Sequence, residues 1–248
     1  MFLDGIKIGL FGGSFDPPHL GHVHFSHQAI KHFNLDKVIW LVSPRNPLKS
    51  MAPAPIQIRV QQAQKIIHNP KIIISNVETE IGAQYSCETL DYLSLKYPRT
   101  KFVWLIGSDN LAQFHLWKNW KWIIDNFPIG VLARPQSRQT GLNSKVAKIY
   151  KSFKLPAHEG RLLPYYPSPK WCFSNMPLMK VSSSEIRKNN LLEINIYLLI
   201  VMCRALEPLS IAAACSRSIF SSYLISSSSL NSGSKIRPSA AATSQQRA

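Results

Sequence analysis

The apolar and polar positions of the first 190 residues alternate between strand-like runs and helix-spaced stripes. Ile6, Ile8, Leu10 and Phe11 make a first strand over residues 6–11, and Leu20, Val23, Ile30 and Phe33 recur at helical spacing over 20–33. Residues 37–43 (Val38, Ile39, Trp40, Leu41, Val42) predict a second strand, 56–68 a helix, and the isoleucine-rich 71–77 a third strand. A helix opens near Tyr85, with Ser86 as its N-cap and Glu88 in its first turn, and ends before Pro98. Residues 101–106 predict a fourth strand, followed by two short helices, the second over 117–126 with Trp120 and Ile124 on its buried face. Residues 129–133 predict a fifth strand, 142–153 one helix, 171–174 a last strand, and 181–187 the start of a further helix. This alternation predicts an α/β fold: a Rossmann-like, doubly wound parallel sheet of about five to six strands with helices on both faces.

After about Asn190 the pattern is lost. Residues 191–248 hold two acidic side chains, Glu193 and Glu207, and thirteen serines, including Ser226 to Ser229 in a row. The chain therefore divides into a domain over residues 1–190 and an atypical Ser-rich tail over 191–248, expected to be poorly ordered. Either a divergent tail or a reading-frame change near residue 190 accounts for it.

Charge narrows the partners. With 29 basic against 13 acidic side chains the chain carries +16, which suits anionic partners. Cys87, Cys172, Cys203 and Cys215 are widely spaced, form no C-x-x-C pair and support neither a zinc site nor a disulfide framework. With no secretory signal and no apolar run long enough to cross a bilayer, the expected compartment is the cytoplasm, with no membrane partner.

The chemistry is expected where strands end, since open parallel sheets bind ligands outside their carboxyl ends. Between the first strand and the first helix stands Gly12-Gly13-Ser14-Phe15-Asp16-Pro17-Pro18-His19-Leu20-Gly21-His22. Glycines let a backbone approach an anion, and the first N–H groups of a helix face it with the positive end of the helix dipole. His19 and His22 add donors that can carry charge. The string is neither a Walker A loop nor the dinucleotide G-x-G-x-x-G. Lys49 follows the second strand, Ser86 the third, Asp109 the fourth and Arg134 the fifth.

These residues carry a family resemblance. The 12–22 string resembles the phosphate-binding signature of the H-x-G-H nucleotidyltransferase superfamily, and Val181-Ser182-Ser183-Ser184-Glu185-Ile186-Arg187 resembles its second signature, I-S-S-T-x-I-R. Together with Ile106-Gly107-Ser108-Asp109, Trp117 and Arg134-Pro135, residues 5–190 resemble the bacterial nicotinate-nucleotide adenylyltransferases. The resemblance implies adenylyl transfer from ATP to nicotinate mononucleotide, giving deamido-NAD and pyrophosphate, as a step of NAD biosynthesis. It implies His19, His22 and Lys49 as catalytic groups, and Gly12, Gly13, Ser14, Phe15, His19, His22, Ser182, Ser183, Ile186 and Arg187 as the ATP site. Lys49, Tyr85, Ser86, Thr89, Asp109, Trp117 and Arg134 would form the acceptor site. Mg²⁺ would arrive mainly on the ATP phosphates, with no metal site of the protein's own.

Two departures stand out. Lys49 lies in Asn46-Pro47-Leu48-Lys49 where relatives often have P-P-H-K, and relatives close with a hydrophobic-patterned helix where this chain has its tail. The alternative readings are another H-x-G-H adenylyl- or cytidylyltransferase, such as one acting on phosphopantetheine, and a non-catalytic basic nucleic-acid-binding domain. No recognised nucleic-acid motif is present, so no nucleic-acid partner is expected. A homo-oligomer is compatible with the sequence.

Overall fold

A computed structural model of the chain describes residues 5–44, 52–133 and 137–177, together with Ser183, Ile186 and Arg187. The elements run β1 (Lys7–Gly13), α1 (Leu20–His32), β2 (Lys37–Val42), α2 (Ile56–Ile66), β3 (Ile72–Ser75), α3 (Val77–Glu80), α4 (Ser86–Lys96) and β4 (Lys101–Gly107). They continue with α5 (Ser108–Gln113), a 3₁₀ turn at Phe114–Leu116, α6 (Trp120–Asn126), β5 (Ile129–Ala133), α7 (Arg138–Leu142) and α8 (Lys145–Ile149). A 3₁₀ turn at Lys151–Phe153, β6 (Lys154–Leu155), a 3₁₀ segment at Ala157–Tyr165 and β7 (Trp171–Asn175) complete the described part.

The strands form one sheet in the order β3-β2-β1-β4-β5-β7-β6, and each pairing is parallel. Strand order reverses between β1 and β4, which pair with Leu10 opposite Trp104. The crevice above that junction is where such sheets take their ligands.

Side-chain alternation explains why the strands are apolar almost throughout. Along β2, Ile39 and Leu41 enter one core, while Val38, Trp40 and Val42 enter the other. Along β4, Phe102, Trp104 and Ile106 share the first core, and Val103 and Leu105 the second. Both faces are thus covered, as parallel sheets require. Helix α4 (Leu90, Leu93) and helices α5 and α6 (Leu111, Ile123, Ile124) cover the first face. Helices α1 (Val23, Phe25, Ala29) and α2 (Ala63) cover the second.

Several sequence expectations change. The sheet has seven strands where five to six were expected, because β6 is two residues long, too short to leave a periodic trace. The single helix expected over 142–153 is broken into α7, α8 and a 3₁₀ turn. Ser144 ends the run by capping a new helix, its Oγ accepting from the Ala147 N–H at 3.2 Å. Leu20 does not join the buried stripe of α1 and is 56% exposed; Phe25 and Ala29 are buried instead. Ser86 is the first helical residue of α4, not its cap. Glu88 caps that end, accepting from the N–H groups of Gln84 (2.8 Å) and Tyr85 (3.1 Å). The tail over residues 191–248 lies outside the described residues.

Candidate functional site

The turn leaving β1 is held from below by aromatic packing. A Cβ at Gly12 would lie 2.7 Å from Cη2 of Trp104, so only glycine lets that indole underlie the turn. Phe15 adopts φ 45°, a left-handed conformation that a bulky residue takes only when its surroundings enforce it. Its ring is buried and stacked on Trp40, with centroids 4.5 Å apart and planes 3° from parallel. Phe11 stacks on Phe25 at 4.3 Å and meets Phe15 edge-on at 5.4 Å.

The two histidines form a reciprocal cap on α1. Nδ1 of His19, the N-cap residue, accepts from the Gly21 N–H at 3.1 Å, and Nδ1 of His22 accepts from the His19 N–H at 3.2 Å. Two of the helix's first backbone donors are satisfied in this way. Because Nδ1 accepts in both rings, the proton of each neutral imidazole sits on Nε2, as a donor. The rings stack with centroids 3.8 Å apart and planes 26° from parallel. Ser26 anchors the pair to the core: its Oγ donates to the His22 carbonyl (3.0 Å) and accepts from Trp40 Nε1 (2.8 Å).

The second signature closes on the first. Ser183 Oγ donates to the Pro17 carbonyl at 3.0 Å, and Arg187 donates to the Asp16 carbonyl and lies 3.9 Å from the Asp16 carboxylate. The structure thus brings Gly12, Gly13, Ser14, Phe15, His19, His22, Ser183 and Arg187 to one end of β1. Ile186 is half-buried on the same segment as Arg187.

Beneath the turn lies a residue that motif reading missed. Arg59 of α2 is 1% exposed, and its donors go to three backbone carbonyls: Ala54 (2.7 Å), Ser14 (2.5 Å) and Ser43 (2.8 Å). Burial pulls its pKa below the usual arginine value, and the Asp16 charge opposes that shift. The available signal was its position, since with Ile56, Val60 and Ala63 it falls on the apolar stripe of α2. Ser43 also donates its N–H to the Gly13 carbonyl at 3.0 Å. Behind Ser43 stands Glu78, 6% exposed, whose carboxyl is pushed up to about 7 by burial against an opposing hydrogen bond from Ser43.

The residues that the sequence reading assigned to an acceptor are held more loosely. Trp117 is half-buried and meets Trp104 edge-on at 6.2 Å and Phe114 at 5.3 Å. Lys118 reaches over the Tyr85 ring at 5.5 Å, so the start of α4 and the Trp117 turn adjoin. Asp109 is exposed in the first turn of α5, its carboxylate folded back where a Cβ at Gly107 would stand. Ser86 is half-buried; Thr89 is fully buried, its Oγ1 without a hydrogen-bond partner, as is Trp104 Nε1. Lys49, Ser182 and Arg134 lie outside the described residues. Among the described residues no three His, Cys, Asp or Glu side chains stand together as a metal site would need.

Comparisons with known proteins give the chain's family and fold. A family model described as cytidylyltransferase-like matches residues 10–189. A relative from Ruegeria sp. (strain TM1040), named a probable nicotinate-nucleotide adenylyltransferase, is 49% identical over 183 residues, which make up 74% of this chain and 97% of the relative. Another of that name, from Caulobacter sp. (strain K31), is 38% identical over 183 residues, 73% of this chain and 97% of the relative. Among solved structures, Plasmodium falciparum nicotinic acid mononucleotide adenylyltransferase complexed with NaAD superposes with a TM-score of 0.57 at 19% identity. The match covers 74% of this chain and 83% of that one, a likeness of fold.

Proposed function

The chain belongs to the cytidylyltransferase-like family, and we propose that it transfers the adenylyl group of ATP to nicotinate mononucleotide, giving deamido-NAD and pyrophosphate. The observation that carries this reading is the capped histidine pair at the start of α1, directly after the turn that leaves β1, with Nδ1 of each ring engaged by backbone and Nε2 left as the donor. The names borne by relatives at 38–49% identity support the choice of acceptor.

In the proposed reaction a phosphate oxygen of the mononucleotide attacks the α-phosphorus of ATP. The bond from that phosphorus to the bridging oxygen breaks, and pyrophosphate leaves in line. No protein nucleophile takes part. The protein's task is to hold two anions in register and to offset the charge that builds on the transferring phosphoryl oxygens. His19 and His22 meet that charge. Backbone N–H groups over residues 13–15 line the triphosphate. Ser182, Ser183, Ile186 and Arg187 approach it from the far side, Arg187 through its fork of donors. For Ser183 and Arg187 this means exchanging their present partners, the carbonyls of Pro17 and Asp16, for phosphate oxygens.

The donor set fits a Mg²⁺ that arrives on ATP. The turn offers histidines and backbone N–H groups, and its carboxylate, Asp16, is already paired with Arg187. A hard cation is better served by phosphate oxygens and water than by that set. Bound there, Mg²⁺ would supply charge neutralisation on the phosphates.

On the acceptor side Trp117 stacks on the pyridine ring, and donors at Tyr85 and Ser86 meet its carboxylate. Asp109 accepts a ribose hydroxyl, and Lys49 and Arg134 meet the mononucleotide phosphate. Thr89 supports the Tyr85 turn from within the core. Residues 1–190 form the catalytic domain, with 191–248 as an appended tail. The reading places the reaction in the cytoplasm, where the free thiols of Cys87 and Cys172 would stay reduced.

The test is pyrophosphate release from ATP with three acceptors: nicotinate mononucleotide, its amide form and phosphopantetheine. Release should be fastest with the first. Release with phosphopantetheine alone would move the protein to another branch of the family, and no release with any acceptor would refute the activity.

A further inference from the structure

Arg59 lies on α2, outside the set of residues assigned above to ATP or to the acceptor, yet its guanidinium donates to the backbone of the phosphate turn. It donates to the Ser14 carbonyl within that turn and to the Ser43 carbonyl at the exit of β2. It also donates to Ala54, just before its own helix. Buried arginines are rare, and three of this one's hydrogen bonds go to backbone carbonyls, so it ties backbone segments together.

The Ser14 contact has a directional consequence. In a planar trans peptide the C=O and the following N–H point opposite ways. With the Ser14 carbonyl turned down onto Arg59, the N–H of Phe15 faces away from the core. Phe15 itself takes the left-handed conformation (φ 45°) that arranges successive N–H groups into an anion-binding concavity. The Ser43 contact joins the turn to the strand end from which the Lys49 segment departs. One guanidinium therefore fixes the ATP turn and the exit of β2 against each other.

We propose that Arg59 is a positioning residue for adenylyl transfer: by holding the Ser14 and Ser43 carbonyls it orients the backbone donors that receive the ATP triphosphate. The proposal rests on the adenylyl-transfer reading for its substrate and not for its geometry. Lysine cannot replace arginine in this role, because its ammonium is a single point and not a fork spanning three carbonyls.

The test uses the full chain with Arg59→Lys and Arg59→Ala. Binding of ATP alone is read by tryptophan fluorescence, since Trp40 stacks on Phe15 of the turn. Steady-state pyrophosphate release gives separate KM values for ATP and acceptor. Arg59→Lys should keep the far-UV circular dichroism of the parent while kcat/KM for ATP falls about 100-fold, the loss that follows a displacement of roughly 1 Å. The acceptor KM should stay near that of the parent. Millimolar guanidinium added to Arg59→Ala should restore about tenfold of the lost ATP efficiency, and equal concentrations of ammonium should not. Folded Arg59→Lys with parental ATP affinity and kcat/KM would overturn the proposal. So would a loss shared equally by ATP and acceptor that guanidinium does not repair. If the parent releases no pyrophosphate with any acceptor but binds ATP, and Arg59→Lys binds it more weakly, the choice of reaction fails while the role of Arg59 stands.

Discussion

On the proposed ATP side, His19 and His22 cap the N–H groups of Gly21 and His19, Phe15 is stacked on Trp40, and Arg59 holds the turn from beneath. On the proposed acceptor side, Asp109 is exposed, Ser86 is half-buried, and Trp117 meets Trp104 and Phe114 edge-on. The contrast follows from what each side must do. Displacement at phosphorus demands fixed alignment, and displacements of about 1 Å cost two orders of magnitude. Acceptor recognition needs a few placed groups, which can change without moving the turn. Substitutions on the ATP side should therefore act on kcat and on the ATP terms, and those on the acceptor side on the acceptor KM.

The largest expected effect is at His22. His22→Ala should lower kcat about 10²–10³-fold, the cost of removing one preorganised donor from a developing anion. It also strips the cap from the His19 N–H, with about 1 kcal/mol of stability. His22→Asn restores an acceptor for that N–H, so it should recover the melting temperature while kcat stays low. Thermal melts beside pyrophosphate release separate the two roles, and a parental kcat in His22→Ala would remove the residue from the transfer step.

Glu78 tests whether the ATP side is as rigid as its contacts suggest. Its carboxyl is raised from 4.5 to about 7 by burial, so the folded protein holds a proton that the unfolded chain has released. The stabilising contribution is complete below about pH 4.5 and is lost as pH rises through 7. Between pH 5 and 8 the parent should lose up to about 3 kcal/mol relative to Glu78→Gln, which has no proton to release. Urea unfolding across that range reads the difference. Because Glu78 lies behind Ser43, which Arg59 also holds, the ATP KM of the parent should rise with pH while that of Glu78→Gln stays flat. A stability gap that does not change with pH would show that Glu78 does not ionise in that window.

Much of the ATP side was legible in the sequence because it is local. Eleven consecutive residues from the end of a strand place the glycines, Phe15, His19 and His22 together through one turn and one helix start. The sheet was legible for the same reason: six of its seven strands are short apolar runs, each bounded by turn residues. What hid from the sequence depends on contacts across the chain. Arg59 stands on the apolar stripe of α2, but what it holds there shows only once Ser14, 45 residues earlier, is folded over it. Glu78 is one acidic residue among several near Asn76 until burial behind Ser43 sets it apart. The break in the helix expected over 142–153 was concealed because Leu142, Val146, Ile149 and Tyr150 keep a helical period across a cap that only Ser144 marks. Ser183 and Arg187 were assigned to phosphates by their motif, while their hydrogen bonds go to the Pro17 and Asp16 carbonyls of the opposite turn.

The smallest expected effect is the one that can break the comparison. Trp117→Ala removes a stacking surface whose worth is about 0.5–1.5 kcal/mol, so the acceptor KM should rise about two- to tenfold. The kcat and the ATP KM should stay near parental values if the two sides are independent. They are joined through one side chain, however: Trp117 rests edge-on against Trp104, and the far edge of Trp104 underlies Gly12 of the ATP turn. The indole N–H of Trp104 makes no hydrogen bond that would hold the ring in place. Packing alone fixes it, so emptying the Trp117 position gives it room to move. Trp117→Phe keeps an aromatic edge there and separates the two consequences. If Trp117→Ala raises both KM values and Trp117→Phe restores the ATP term while the acceptor term stays high, the acceptor side supports the turn as well as the pyridine. If the ATP term never moves, the loosely held side is dispensable to the rigid one.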